Sequence, residues 1–221
     1  MTENENTALE TRRSQVPDLV RTPALEIGAE DVALPRLKIG QFMSEQVQDG
    51  TVPAGALFTS LSSDDPDPQV LYKPGDENGV VIHVLSMRRG KSISEGGELV
   101  LYDYNDPDAP PDAWVTYNYV IAIPAVDEDV PQKWLLTRTG RPAAQQMNTV
   151  LAKNSGKKPP YELAFEVTTA ERSNDKGRFF VPKVRHIEAD AASVEIAANL
   201  LGLLSGGSID EAAPAEAEPA I

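Results

Sequence analysis

Apolar residues in this chain alternate with polar ones more often than they recur at helical spacing, and that pattern predicts strands. Order is expected to begin near "VALPRLKIGQ", where Leu34, Leu37 and Ile39 are apolar and Pro35 suits a strand start. "DGTVPAGALFTSL" sets turn residues around short apolar stretches, and "SSDDPDPQ" is a loop by its Asp and Pro content. The β-branched run Val80 to Leu85 in "GVVIHVLSMRRGKSI" predicts a strand buried on both faces. "ELVLYDY", "WVTYNYVIAIP" and "KWLLTR" read as further strands, with "NDPDAPPDA" closing the first of them. In "RPAAQQMNTVLAKNSG" the period changes, and Ala143, Ala144, Met147, Val150 and Leu151 fall on one helical face. "YELAFEVTT" alternates cleanly, and "ERSNDKG" turns it back into "RFFVPKVRHIE" as a long hairpin. A last helix is expected in "DAASVEIAANLLGLL", with Asp190 as N-cap and a stripe through Val194, Ala197, Leu200, Leu201 and Leu204.

These elements give a flexible arm over residues 1–30, one domain over 31–187, a helix over 188–205 and a disordered acidic tail over 206–221. The expected fold is mainly β: a five-stranded Greek-key barrel of the OB type with one inserted helix, a C-terminal helix and disordered ends. A β-sandwich is the alternative, because strand number alone does not separate the two.

Charge changes the picture more than composition does. The net charge of −14 argues against a nucleic-acid partner. Yet residues 133–187 hold eleven basic and four acidic side chains, net +7, while residues 188–221 hold seven acidic and no basic ones. A basic quarter therefore sits inside an acidic protein. The chain has no cysteine, and its two histidines, His83 and His186, lie far apart, so a Cys/His zinc cluster is excluded. The polar N-terminal stretch has no signal-peptide h-region and no apolar run is long enough to span a bilayer, so a cytoplasmic location without membrane attachment is expected.

No nucleophile elbow, Walker lysine or glycine-rich dinucleotide loop is present, and no cofactor is expected. His83 inside an apolar strand reads as a core residue, and Asp64, Asp65 and Asp67 read as a solvated loop without the spacing of a calcium site. The protein is expected to be no enzyme. What the sequence does offer is cations interleaved with rings, the two requirements of a surface that holds single-stranded nucleic acid. The candidate contacts are Arg88, Arg89, Lys91, Tyr117, Tyr119, Trp134, Arg138, Arg172, Lys176, Arg178, Phe179, Phe180, Lys183 and Arg185. Neighbours on a strand face opposite ways, so one of Phe179 and Phe180 belongs to the core, and Tyr117 and Tyr119 share a face opposite to Trp114, Thr116 and Asn118.

"LPRLKIGQ", the aromatic central strands, "RPAAQQMNTVL" and "YELAFEVTTAERSNDKGRFFVPKV" together resemble phage-encoded single-stranded DNA-binding proteins of the OB-fold type, over roughly residues 33–187. The ending "SIDEAAPAEAEPAI" is similar to the acidic tails of bacterial and phage single-strand binders, with Asp210, Glu211, Glu216 and Glu218 as acid and Ile221 as tip, though it lacks an aromatic residue. The resemblance implies protection of single-stranded DNA in replication or recombination, in host cytoplasm, with a tail that screens the groove or recruits replication and recombination partners. A phage structural or assembly protein and a carbohydrate- or peptide-binding β-domain are the alternatives.

Overall fold

The computed structural model describes residues 33–206 apart from 63, 64, 66, 96, 97 and 127–129. The strands are β1 (Arg36–Ile39), β2 (Leu57–Ser60), β3 (Gln69–Tyr72), β4 (Val80–Glu95), β5 (Glu98–Asp103), β6 (Trp114–Ala122), β7 (Gln132–Leu136), β8 (Ala164–Asn174) and β9 (Gly177–Ile187). Three α-helices accompany them: α1 (Glu45–Gln48), α2 (Arg141–Asn154) and α3 (Ala191–Gly206). The expected N-terminal arm and the tail beyond Gly206 lie outside the described residues.

All nine strands join one mixed sheet in the order β3-β2-β1-β7-β6-β4-β8-β9, with β5 added to the far half of β4. The expected five-stranded closed barrel is therefore corrected to a larger, open sheet. Short "QVLY" carries too little pattern to announce β3, and β4 runs on for ten residues past the apolar stretch that announces it. A parallel contact, Arg36 opposite Lys133, joins the N-terminal meander to the rest.

The sheet curls around its main core. Leu57, Ile82, Tyr119, Ile121, Trp134 and Phe165 meet inside it, and α2 closes the hollow with Ala143, Ala144 and Met147, the helical face read from the sequence. Among the described residues no strand ladder joins the two ends of the sheet, but side chains bridge the β1–β2 connection to β8 and β9. The Gln41 carboxamide donates to the Phe180 carbonyl at 2.9 Å and accepts from the Phe180 N–H at 2.9 Å, imitating one rung of a ladder. Thr169 Oγ1 donates to the Gly55 carbonyl at 2.6 Å across the same seam.

On the outer face α3 covers a second, smaller cluster of Leu85, Ala122, Ala197 and Leu200. Asp190 caps it, accepting from the Ser193 N–H at 2.8 Å. Beside this cluster His83 is fully buried. Its Nδ1 lies 2.8 Å from the Tyr161 carbonyl, which only accepts, so the neutral ring carries its proton there. The other nitrogen, Nε2, is buried without a partner.

Burial holds the His83 pKa below the ordinary 6.5, outweighing the Tyr161 hydrogen bond and the charge of Asp190, both of which push it up. The folded state thus favours the neutral ring, and the stability it contributes is present above pH 6.5 and is lost as pH falls from there toward the depressed folded value. The melting temperature should drop between pH 7.5 and about pH 5, above the range where carboxylates titrate, and His83→Leu should flatten that drop. An unchanged slope in the variant would assign it to other groups.

Candidate functional site

Rings expected on a binding surface are instead the core. Tyr117, Tyr119, Trp134 and Phe180 are 8, 0, 2 and 8 % exposed. A five-stranded barrel has little room for so many rings, but the interior of a nine-stranded curl takes them all. Tyr119 reaches the helix, its hydroxyl donating to Asn148 Oδ1 at 2.9 Å, and burial pushes the hydroxyl pKa far above its usual value. Phe180 packs on Phe42 with ring centroids 5.1 Å apart. Its neighbour Phe179 is half-buried on the opposite face, as strand alternation requires.

Three other half-buried rings are capped by guanidinium groups. Arg138 lies 3.2 Å from the Trp114 ring centroid, Arg89 3.7 Å from that of Tyr104, and Arg178 4.8 Å from that of Phe42. Lys91 is a further 5.8 Å neighbour of Tyr104. Arg138 sits at φ +30°, a left-handed conformation that costs a non-glycine residue about 1–2 kcal/mol. The stack on Trp114 offsets part of that cost. It also presents a planar cation at the surface, a group that accepts a base face as readily as a ring does.

A β-bulge decides where the central arginines point. Val84 faces Ile121 and Ser86 faces Val120, so Leu85 is an extra residue. Beyond it the alternation of β4 is reversed: Met87 and Arg89 stand beside Tyr119 and Tyr117 on the α2 side, and Arg88 beside Asn118 on the other. Arg89 thereby enters a cleft of about 1000 Å³ between β4, β6 and α2. Arg141, Lys157 and Lys158 also line this cleft, with the carboxamides of Gln145 and Asn148. Among the described residues no carboxylate does.

Two further clefts share that property. One, of about 490 Å³, runs along β1 and β7 and is lined by Arg36, Lys38, Lys133, Asn118 and Leu135 among others. Arg36 and Lys133 are directly paired across the strands, a like-charge contact that costs stability unless an anion lies over it. The other, of about 470 Å³, flanks α2 and holds Arg172, Phe179 and Lys183 beside Gln146 and Thr139. Thr139 is common to these two, and the segment 137–142 at the start of α2 touches all three clefts.

The remaining predicted residues do not join this arrangement. Arg88 pairs with Asp103 at 2.7 Å, Arg178 with Glu171 at 3.1 Å and Arg185 with Glu166 at 2.6 Å. The Arg88 and Arg178 pairs are exposed and worth little, whereas Glu166 is 14 % exposed and accepts from two nitrogens of Arg185. In the folded protein each carboxylate offsets the charge its arginine offers. Lys176 lies in the β8–β9 turn, exposed. Asp65 of the acidic loop accepts from the Leu61 and Asp67 N–H groups at 2.9 and 3.1 Å. The tail residues Asp210, Glu211, Glu216, Glu218 and Ile221 lie outside the described residues. Sequence reading missed Arg36, Lys38, Lys133, Arg141, Lys157 and Lys158 as contacts; the signal for the last four was their place in the +7 segment. Comparison with family models, with curated proteins and with solved structures finds no match to this chain.

Proposed function

We propose that this protein binds single-stranded DNA without catalysis and with little base preference. One observation carries the reading: in a chain with 34 acidic and 20 basic side chains, the three clefts around α2 are lined, among the described residues, by nine cations and no carboxylate. Acidic surface elsewhere would confine a polyanion to this region. The stacks of Arg138 on Trp114 and Arg89 on Tyr104 add flat groups beside the cations, the combination that tolerates any base.

The finer fold reading belongs to the same proposal. Five strands, β4, β6, β7, β8 and β9, run in the spatial order β7-β6-β4-β8-β9, with α2 between β7 and β8. Taken alone they follow a Greek-key OB pattern, in which β6 and β7 are the second and third strands, the usual binding face, and the β8–β9 turn is one of the flanking loops.

The test is fluorescence anisotropy with a labelled oligodeoxynucleotide in single-stranded and duplex form. The single strand should bind more tightly, and its affinity should fall linearly on a log–log plot against salt, with a slope of about −0.7 per phosphate contacted. Equal affinity for the duplex, or no dependence on salt, overturns the reading.

A further inference from the structure

Tyr117 and Asn118 are consecutive on β6 and point to opposite sides of the sheet. Tyr117 lines the large cleft against α2, and Asn118 lines the cleft along β1 and β7. The two linings share no residue, and each carries its own cations: Arg89, Arg141, Lys157 and Lys158 on one side, Arg36, Lys38 and Lys133 on the other. The hollow that borders both, around Arg88, Arg89, Leu101 and Asn118, also holds Asp103 and Asp106. An anionic backbone crossing from one cleft to the other over that edge would meet two carboxylates against two arginines, one of them already paired with Asp103, and so no net positive charge.

Resting on the single-strand reading, we propose that one chain holds two separate segments of single-stranded DNA at once, one on each side of β6, and so brings two strands together. Each segment lies against its own set of cations, which offset the repulsion between the two phosphate backbones. The like-charge pairing of Arg36 with Lys133 has its explanation in the second strand, because neither residue lines the first cleft.

The experiment counts oligonucleotides per chain by native mass spectrometry. The probe is an oligodeoxythymidylate of roughly 8 nucleotides, within the span one such fold covers and unable to pair with itself. Two variants separate the clefts: Arg141→Glu with Lys157→Glu and Lys158→Glu, and Arg36→Glu with Lys133→Glu. Glutamine versions of both sets keep the test open if charge reversal disturbs folding.

The intact protein should carry two oligonucleotides per chain and each variant one. A single oligonucleotide on the intact chain, lost to the same degree in both variants, would mean one strand wound past the start of α2, and the inference falls while single-strand binding stands. Two retained in either variant overturns it as well. If the intact protein binds none, the single-strand reading itself has failed.

Discussion

Gly55→Ala should lower the unfolding free energy by about 2–4 kcal/mol, far more than an alanine at an ordinary turn glycine, because it combines backbone strain with a collision. Gly55 sits at φ +80°, and a Cβ there would stand 2.5 Å from the Phe180 ring and 2.7 Å from Pro74. Phe180 has little room to give. Phe180 is held by its ring against Phe42 and by its backbone against Gln41, and the Gly55 carbonyl and N–H are themselves committed to Thr169 and Gly40. The glycine lies at the seam where the ends of the open sheet meet without a ladder, so the damage falls where least redundancy exists. Gly50→Ala is the control: it shares the left-handed conformation, φ +82°, but nothing stands within 4 Å of its Cβ. Its cost should be only the backbone share, about 1 kcal/mol. Denaturant unfolding of the two variants decides the matter, and equal losses would show that the seam is not tight.

How much of this was legible in the sequence depends on whether a feature is written in local pattern or in long-range register. The helical face of α2, the Asp190 cap and the β8–β9 hairpin follow from spacing within a dozen residues, and each is found where the pattern puts it. The seam does not, because Gln41 and Phe180 are 139 positions apart and the bond uses a side-chain amide that nothing local marks. The strand face of Tyr117 and Tyr119 was also readable, but which face is inward depends on how many strands enclose the core. Nine strands enclose enough volume to take both rings. The bulge at Leu85 hides the direction of Arg88 and Arg89 in the same way, since a strict two-residue period carried on from Ile82 and Val84 would send Arg88 inward.

Charge was legible only as a segment total. The +7 stretch does supply Arg141, Lys157, Lys158, Arg172 and Lys183 to the clefts, but folding pairs Arg178 and Arg185 with nearby glutamates and brings in Arg36 and Lys38 from the acidic half. Linear charge density therefore marks a cation-rich segment, while the sheet decides which of its members line the clefts.

The two tryptophans separate core from surface within one residue type. Trp134 is 2 % exposed and packs on Tyr119 with ring centroids 6.5 Å apart, so Trp134→Ala should cost about 3–5 kcal/mol of stability through the cavity it leaves. Any loss of DNA binding in that variant should track unfolding and return when the folded fraction is restored. Trp114 is half-buried, and the folded state loses with it mainly one stack on Arg138. Trp114→Ala should therefore change stability by about 1 kcal/mol or less. It should nevertheless weaken single-stranded DNA by about 1–3 kcal/mol, roughly five-fold to more than a hundredfold, if a base stacks on the Trp114–Arg138 platform. Arg138→Gly probes the same platform from the other side. It removes the guanidinium while relieving the left-handed backbone, so stability should hold while binding falls. Melting curves and anisotropy on the three variants give the answer. Binding undiminished in both Trp114→Ala and Arg138→Gly would remove stacking from this face and leave the cations as the whole of the interaction, with a steeper relative dependence on salt as the mark of that outcome.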